Sequence, residues 1–281
     1  MKPTALVCGV GGLALALALA ACRHPERPEP ASRNPPAPST AARGPLVPTV
    51  SSDLAVSGLR VRSGSLVASG TPPAAPPALW GFSDLAVDSS KLRLEIELAK
   101  RGAPLAQLLP QAGLAVVNGG YFEADYRPST WLKNAGVELA PKRDTSKGGV
   151  LALGAAGVYV GPFAGLGFEP QLAIQSFPLI VEQDGKPGIH SDDGRRAART
   201  VVCLVDGNLH FIVIAAPRGD GPTLFETASL MREPPPGGFG CRVALNLDGG
   251  PSTGVWFGAQ VAAKQRAPFS PVGYAIAILP R

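Results

Sequence analysis

Residues 242 to 256 read RVALNLDGGPSTGVW. Val243, Ala244, Leu245 and Leu247 make an apolar run of strand length, and Asn246, Asp248, Gly249, Gly250, Ser252 and Thr253 lie at its end or just past it. A strand end is where rigid scaffold meets solvent, so an aspartate there is held by the sheet behind it. The two glycines let the backbone turn with positive φ or let a ligand approach bare amides, while Pro251 stiffens the turn and removes one donor. On turn mechanics alone, DGG reads equally well as a plain connection between two strands.

The pattern repeats upstream. Leu114 to Val117 reads as a buried strand ending in Asn118-Gly119-Gly120-Tyr121-Phe122, and Arg199-Thr200 lead into a strand over Val201 to Val205. That strand turns at Asp206-Gly207 and returns through Leu209 to Ala215. Lys91 to Leu98 alternates, with Leu92, Leu94, Ile96 and Leu98 on one face and Arg93, Glu95 and Glu97 on the other. Ala103 to Leu109 and Pro222 to Arg232 read as short helices, each with proline in its first turn. Gly149 to Val160 and Leu172 to Gln183 read as short strands, with Asp184-Gly185 a hairpin turn. Glu123 to Lys147 is polar and irregular, of the length of a lid or substrate loop, and Trp131 is expected to pin it to the core. Many short strands with few helices predict an α+β or mixed α/β fold: one domain of mixed sheets from residue 79 to 281, after an extension over 51–78.

The chain of 281 residues is 45% apolar, enough for one sizeable core. Its net charge of +5 falls to +2 over residues 51–281, which leaves no field strong enough to argue for nucleic acid. Lys2, the apolar run Ala5 to Ala20 and the small residues after it read as a signal peptide over 1–21. Leu19-Ala20-Ala21-Cys22 resembles the lipobox of bacterial lipoproteins, which implies that Cys22 carries the lipid and that the protein is exported and membrane-anchored in the cell envelope. Residues 22–50, rich in proline, serine, alanine and arginine, read as an extended tether. Cys203 and Cys241 remain, both beside predicted strands, and export permits one disulfide or two buried thiols.

Asn118-Gly119-Gly120, Arg199-Thr200 and Asp248-Gly249-Gly250 are chemically complementary. A carboxylate serves as base or nucleophile, a guanidinium holds an anionic oxygen pair, an amide orients a hydroxyl, and glycine amides add donors for anions. Taken alone, Arg199 reads as one more solvated cation beside Arg195 and Arg196. Together, NGGYF at 118–122, PLIVEQDGKP at 178–187, RT at 199–200 and ALNLDGGPST at 244–253 resemble the successive signatures of the phosphodiester glycosidase family, over roughly residues 80 to 281. Pro251 stands where the family pattern has a third glycine, and Thr253 where it has a serine. The resemblance implies a hydrolase that takes a sugar off a phosphodiester, with Asp248, Arg199 and Asn118 catalytic. It places Gly119, Gly120, Tyr121, Phe122, Thr200, Asn246, Gly249, Gly250, Ser252 and Thr253 around the substrate. It calls for no cofactor and no metal.

The chemistry suits those residues. In a sugar 1-phosphodiester the leaving group is already an acidic phosphate, so one carboxylate and one cation suffice where ordinary glycosidases need two carboxylates. A serine hydrolase needs a histidine, and the three present are His24 in the tether, His190 on a hairpin and His210 on a strand, with no nucleophile-elbow context. His190, Asp192 and Asp193 read as an exposed polar loop rather than a metal site. The other reading is an anchored glycan-binding module that keeps the pocket without turnover.

Overall fold

The computed structural model describes residues 44–69, 79–144, 147–216 and 220–281. The signal segment, Cys22 and the first part of the proline-rich stretch lie outside the described residues. Among the described residues are sixteen strands and one α-helix.

In chain order, β1 (Leu46–Val56) and β2 (Leu59–Ala68) form a hairpin closed at Ser57-Gly58, both with positive φ. Then come β3 (Trp80–Val87), β4 (Leu92–Ala103), a 3₁₀ turn at Leu105–Leu108 and β5 (Ala115–Asn118). Two short strands follow, β6 (Leu132–Asn134) and β7 (Val137–Ala140), and after them β8 (Gly149–Gly154), β9 (Gly157–Gly161), β10 (Leu172–Ser176) and β11 (Leu179–Val181). The chain closes with β12 (Arg199–Val205), β13 (Asn208–Ala215), α1 (Leu224–Arg232), β14 (Val243–Asn246), β15 (Val255–Phe257) and β16 (Val272–Pro280).

Three sheets result, ordered β1-β2-β3-β13-β12-β14-β11, β7-β6-β10-β8-β9 and β15-β5-β16-β4. Every described strand pairing is antiparallel, so the expected mixed sheets give way to a mostly β fold with one helix. The run VVCLV in β12 and FIVIA in β13 explain the layering. Val202, Phe211, Val213 and Leu245 face the core shared with the other two sheets, whereas Val201, Cys203, Ile212, Ile214 and Ala244 face a second core that includes Ala228, Leu230 and Met231 of α1. The seven-stranded sheet is therefore apolar on both faces. Helix α1 starts at Thr223, whose Oγ accepts from Glu226 N at 3.1 Å while Glu226 Oε2 accepts from Thr223 N at 3.0 Å, a reciprocal cap that leaves Pro222 just outside. A disulfide joins Cys203 of β12 to Cys241 beyond α1, with Cα atoms 5.8 Å apart.

Five sequence expectations are corrected. The tether drawn to residue 50 yields to strand at Leu46, and the boundary drawn at residue 79 does not divide the structure, because β2 pairs with β3 from Leu59↔Val87 to Leu66↔Trp80. The stretch 123–147 is not irregular throughout: it contributes β6 and β7, and Trp131 is buried against Phe163. The alternation of β4 breaks after Glu97. Leu98 is 40% exposed and Ala99 is buried, and just beyond Leu98 the register against β16 shifts, between Leu98 and Ala103. The helix expected at 103–109 is only a 3₁₀ turn.

Candidate functional site

The site lies where strand ends of all three sheets converge. Val201 pairs with Asn246, and beyond that point Leu247 N donates to Thr200 O (2.8 Å) and Gly250 N to Ala198 O (2.8 Å), so two hydrogen bonds bracket Arg199 and Asp248-Gly249. From the four-stranded sheet, Asp248 N donates to Gly119 O at 3.2 Å. From the five-stranded sheet the chain leaves β10 at Ser176 and crosses through Phe177-Pro178 into β11, where Pro178 O accepts from Asn246 N at 3.0 Å.

Asp248 sits half-buried at the end of β14. Burial raises its proton affinity above the ordinary carboxylate value, against the pull of the Ser252 hydroxyl and the Gly249 amide, the latter donating to Oδ1 at 2.8 Å. Gly250 has φ of 58°, which fits its place in the turn, whereas Gly249 is extended and lies close under Ala198 O.

Arg199 is 8% exposed and forms no salt bridge among the described residues. Its guanidinium donates to two carbonyls instead, from Nε to Pro222 O (3.1 Å) and from Nη2 to Arg195 O (2.9 Å), and burial lowers its pKa. A buried cation held by backbone alone is costly unless an anion completes it. Reading it as solvated fails for its neighbour too. Arg196 makes a two-pronged pair with Glu226, at 2.9 Å each, and lies over the Trp80 ring.

Tyr121 links the two charges. Its hydroxyl donates to Phe177 O (3.1 Å) and accepts from Asn246 Nδ2 (3.0 Å). Its pKa is pushed up to about 12, first by burial and then by the negative charge of Asp248, with Arg199 acting the other way. Its ring stacks on Phe177 with centroids 4.5 Å apart and planes 24° from parallel.

Asn118 takes a different part from the one expected. Its Nδ2 donates to Gly119 O (3.1 Å) and Asp248 O (2.9 Å), and its Oδ1 accepts from Thr200 Oγ1 (2.6 Å) and Gly254 N (3.1 Å). All four capacities of the amide are used, so Asn118 fastens the site's backbone and has none left for a sugar or water. Thr200, spent on Asn118, is likewise structural. Gly119 and Gly120 are not open to a ligand: a Cβ on either would fall within 2.6 Å of the Tyr274 side chain. Phe122 stacks on Tyr126 and packs into the outer core of the four-stranded sheet, away from Tyr121. Asn246 and Thr253 stay buried, and their Oδ1 and Oγ1, like Ser176 Oγ, have no partner among the described residues.

Sequence reasoning missed Phe177, Ser176 and Tyr274. Phe177 sits between two strand-like runs as one more apolar residue, and only the pairing of β10 and β11 into separate sheets exposes it. His210 is on β13 with Nδ1 2.7 Å from Asp84 Oδ1, far in sequence from any of these residues, and among the described residues no group of acidic, histidine or cysteine side chains could hold a metal.

A family model described as phosphodiester glycosidase matches residues 112–279. No curated protein matches the chain. Among solved structures, the catalytic domain of zebrafish N-acetylglucosamine-1-phosphodiester alpha-N-acetylglucosaminidase, auto-inhibited by its pro-peptide, is similar with a TM-score of 0.60 and 13% identity, covering 84% of this chain and 89% of that one. A hypothetical protein from Synechocystis gives a TM-score of 0.57 at 14% identity over 86% of this chain; the present chain spans 65% of its length. At these identities the likeness is one of fold.

Proposed function

Because the chain belongs to the phosphodiester glycosidase family, we propose that it is a hydrolase that cleaves the sugar–phosphate bond of a sugar 1-phosphodiester, with Asp248 at the anomeric carbon and Arg199 on the phosphate. The observation that carries the reading is the pair itself: a half-buried carboxylate with raised proton affinity, and a buried guanidinium that forms no salt bridge among the described residues, bracketed by two hydrogen bonds of one ladder. Arg199 draws the phosphate, since a guanidinium without a carboxylate partner is completed by a dianion or monoanion of the right shape. Asp248, in its ionised form, either attacks the anomeric carbon or takes the proton of an attacking water. The departing group is the phosphate monoester of the second alcohol, a weak base that needs no general acid, so one carboxylate suffices for the chemistry. The zebrafish enzyme, whose name describes the same bond class, supports the substrate class through its fold. The lipobox at Cys22 supports an exported, lipid-anchored protein acting on an envelope glycan or glycolipid.

The test is release of reducing sugar from a panel of sugar 1-phosphodiesters by wild type, Asp248→Asn and Arg199→Ala. Turnover of any member, lost in Asp248→Asn, supports the hydrolase. Glycan binding without turnover, equal in wild type and Asp248→Asn, replaces it with the binding module.

A further inference from the structure

We infer that Phe177 is the platform for the sugar ring, so that the substrate lies with its pyranose on Phe177 and its phosphate at Arg199. The inference rests on the glycosidase reading and adds an orientation to it. Phe177 is 37% exposed, yet its backbone is tied down. Its carbonyl accepts from both Tyr121 Oη (3.1 Å) and Asn246 Nδ2 (3.2 Å), and its ring is backed by the Tyr121 ring. A phenyl group that only filled space would be turned inward, whereas this one is fixed with part of its surface toward solvent.

The chemistry of the ring sorts the two halves of the substrate. An aromatic face carries the negative part of its quadrupole, so it attracts the slightly positive C–H groups on the apolar face of a pyranose and repels a phosphate. The buried guanidinium of Arg199 does the opposite. Tyr121 touches Phe177 and senses the charges of both Asp248 and Arg199, which places the aromatic pair next to the reacting groups rather than on a remote surface. Asn246 adds a hydrogen-bonding group to the same cluster: its Nδ2 is shared among Leu247 O, Tyr121 Oη and Phe177 O, and it keeps a buried Oδ1 that a bound water or a ligand hydroxyl would satisfy.

The experiment compares the full chain with Phe177→Ala, Phe177→Trp and Arg199→Ala, by steady-state kinetics on any sugar 1-phosphodiester that wild type turns over and by NMR of the matching sugar 1-phosphate. Removing a contact made equally in ground and transition states raises KM and spares kcat, so Phe177→Ala is expected to raise KM about tenfold or more with kcat within about threefold. Phe177→Trp keeps a π face and stays within about threefold of wild type in both constants. Saturation transfer to the sugar-ring protons falls in Phe177→Ala while the phosphorus shift on binding persists; Arg199→Ala loses the phosphorus shift. An unchanged KM and unchanged saturation transfer in Phe177→Ala overturn the platform and leave the hydrolase standing. Absence of turnover in wild type, with the NMR pattern as expected, keeps the platform and removes hydrolysis. Absence of both overturns both.

Discussion

Asp248 carries opposite consequences for activity and stability. A base or nucleophile must be ionised, and burial holds its pKa above the ordinary carboxylate value, so the acid limb of the rate profile lies above that value and activity falls as pH drops through it. Asp248→Asn lowers kcat by about 10²–10⁴ and abolishes that limb. For stability the sign reverses, because the folded state binds the proton more tightly than the unfolded chain. The raised proton affinity costs stability above the unfolded pKa, and the cost disappears once both states are protonated below it. The amide should therefore melt higher than wild type at pH 7, with the gain vanishing in acid; equal melting temperatures across that range would place the carboxylate in ordinary solvent. Asn118→Ala behaves otherwise. It strands the Thr200 hydroxyl, Gly254 N–H and Asp248 O, while Gly119 O keeps Asp248 N; each stranded group is worth about 1–3 kcal/mol when buried and unpaired, so the loss is at least about 3 kcal/mol and activity falls with it. Thermal melts that stay within a degree of wild type would return Asn118 to the substrate. Both residues were visible in the sequence as polar groups at strand ends. The role of Asn118 was not, because its partners Thr200 and Gly254 lie 82 and 136 residues away, and no local pattern encodes them.

At the scale of elements, period-two alternation found β4 and apolar runs of strand length found β5, β12, β13 and β14, because each carries enough apolar residues for one or both buried faces. The turns at Asp206-Gly207 and Asp184-Gly185 were legible for a local reason: all four residues have positive φ, which these types tolerate. Pairing was not legible. Leu172 to Gln183 read as a strand region, yet β10 joins the five-stranded sheet and β11 the seven-stranded one, and the crossing at Phe177 creates one wall of the site. The shift in β4 is a sharper case, since a register change against β16 is invisible within β4 itself. It makes a prediction that simple alternation contradicts. Leu98→Gln, at an outward position, should change stability by no more than about 0.5 kcal/mol, whereas Ile96→Ala, two residues earlier and 5% exposed, should cost about 2–5 kcal/mol. Urea denaturation of the two variants decides it, and a Leu98→Gln loss as large as that of Ile96→Ala would restore unbroken alternation.

At the scale of the molecule, the question is where the folding unit begins. The proline run TPPAAPP at 71–77 interrupts the sequence and suggests a domain that starts at residue 79. The sheet says otherwise. Strands β1 and β2 extend it beyond β3, and the outermost strand carries the marks of a protected edge, with Pro48 and a bulge between Val50 and Ser52. A chain starting at 79 would lose the β2–β3 ladder and the contribution of Leu59, Val61 and Leu66 to the two cores. It would also lose Arg62, which donates from Nε and Nη2 to Asp84 Oδ2, leaving a carboxylate that is 1% exposed with His210 as its remaining side-chain partner among the described residues. Removing one partner of a buried ion pair costs about 3–5 kcal/mol, a large share of the about 5–15 kcal/mol that holds a domain together. Residues 44–281 should therefore unfold in one cooperative transition, while residues 79–281 should bind a hydrophobic dye and melt without a sharp transition. If the shorter chain instead melts cooperatively at the same temperature, β1 and β2 are an appendage to the sheet, and the site depends only on the strands from β3 onward.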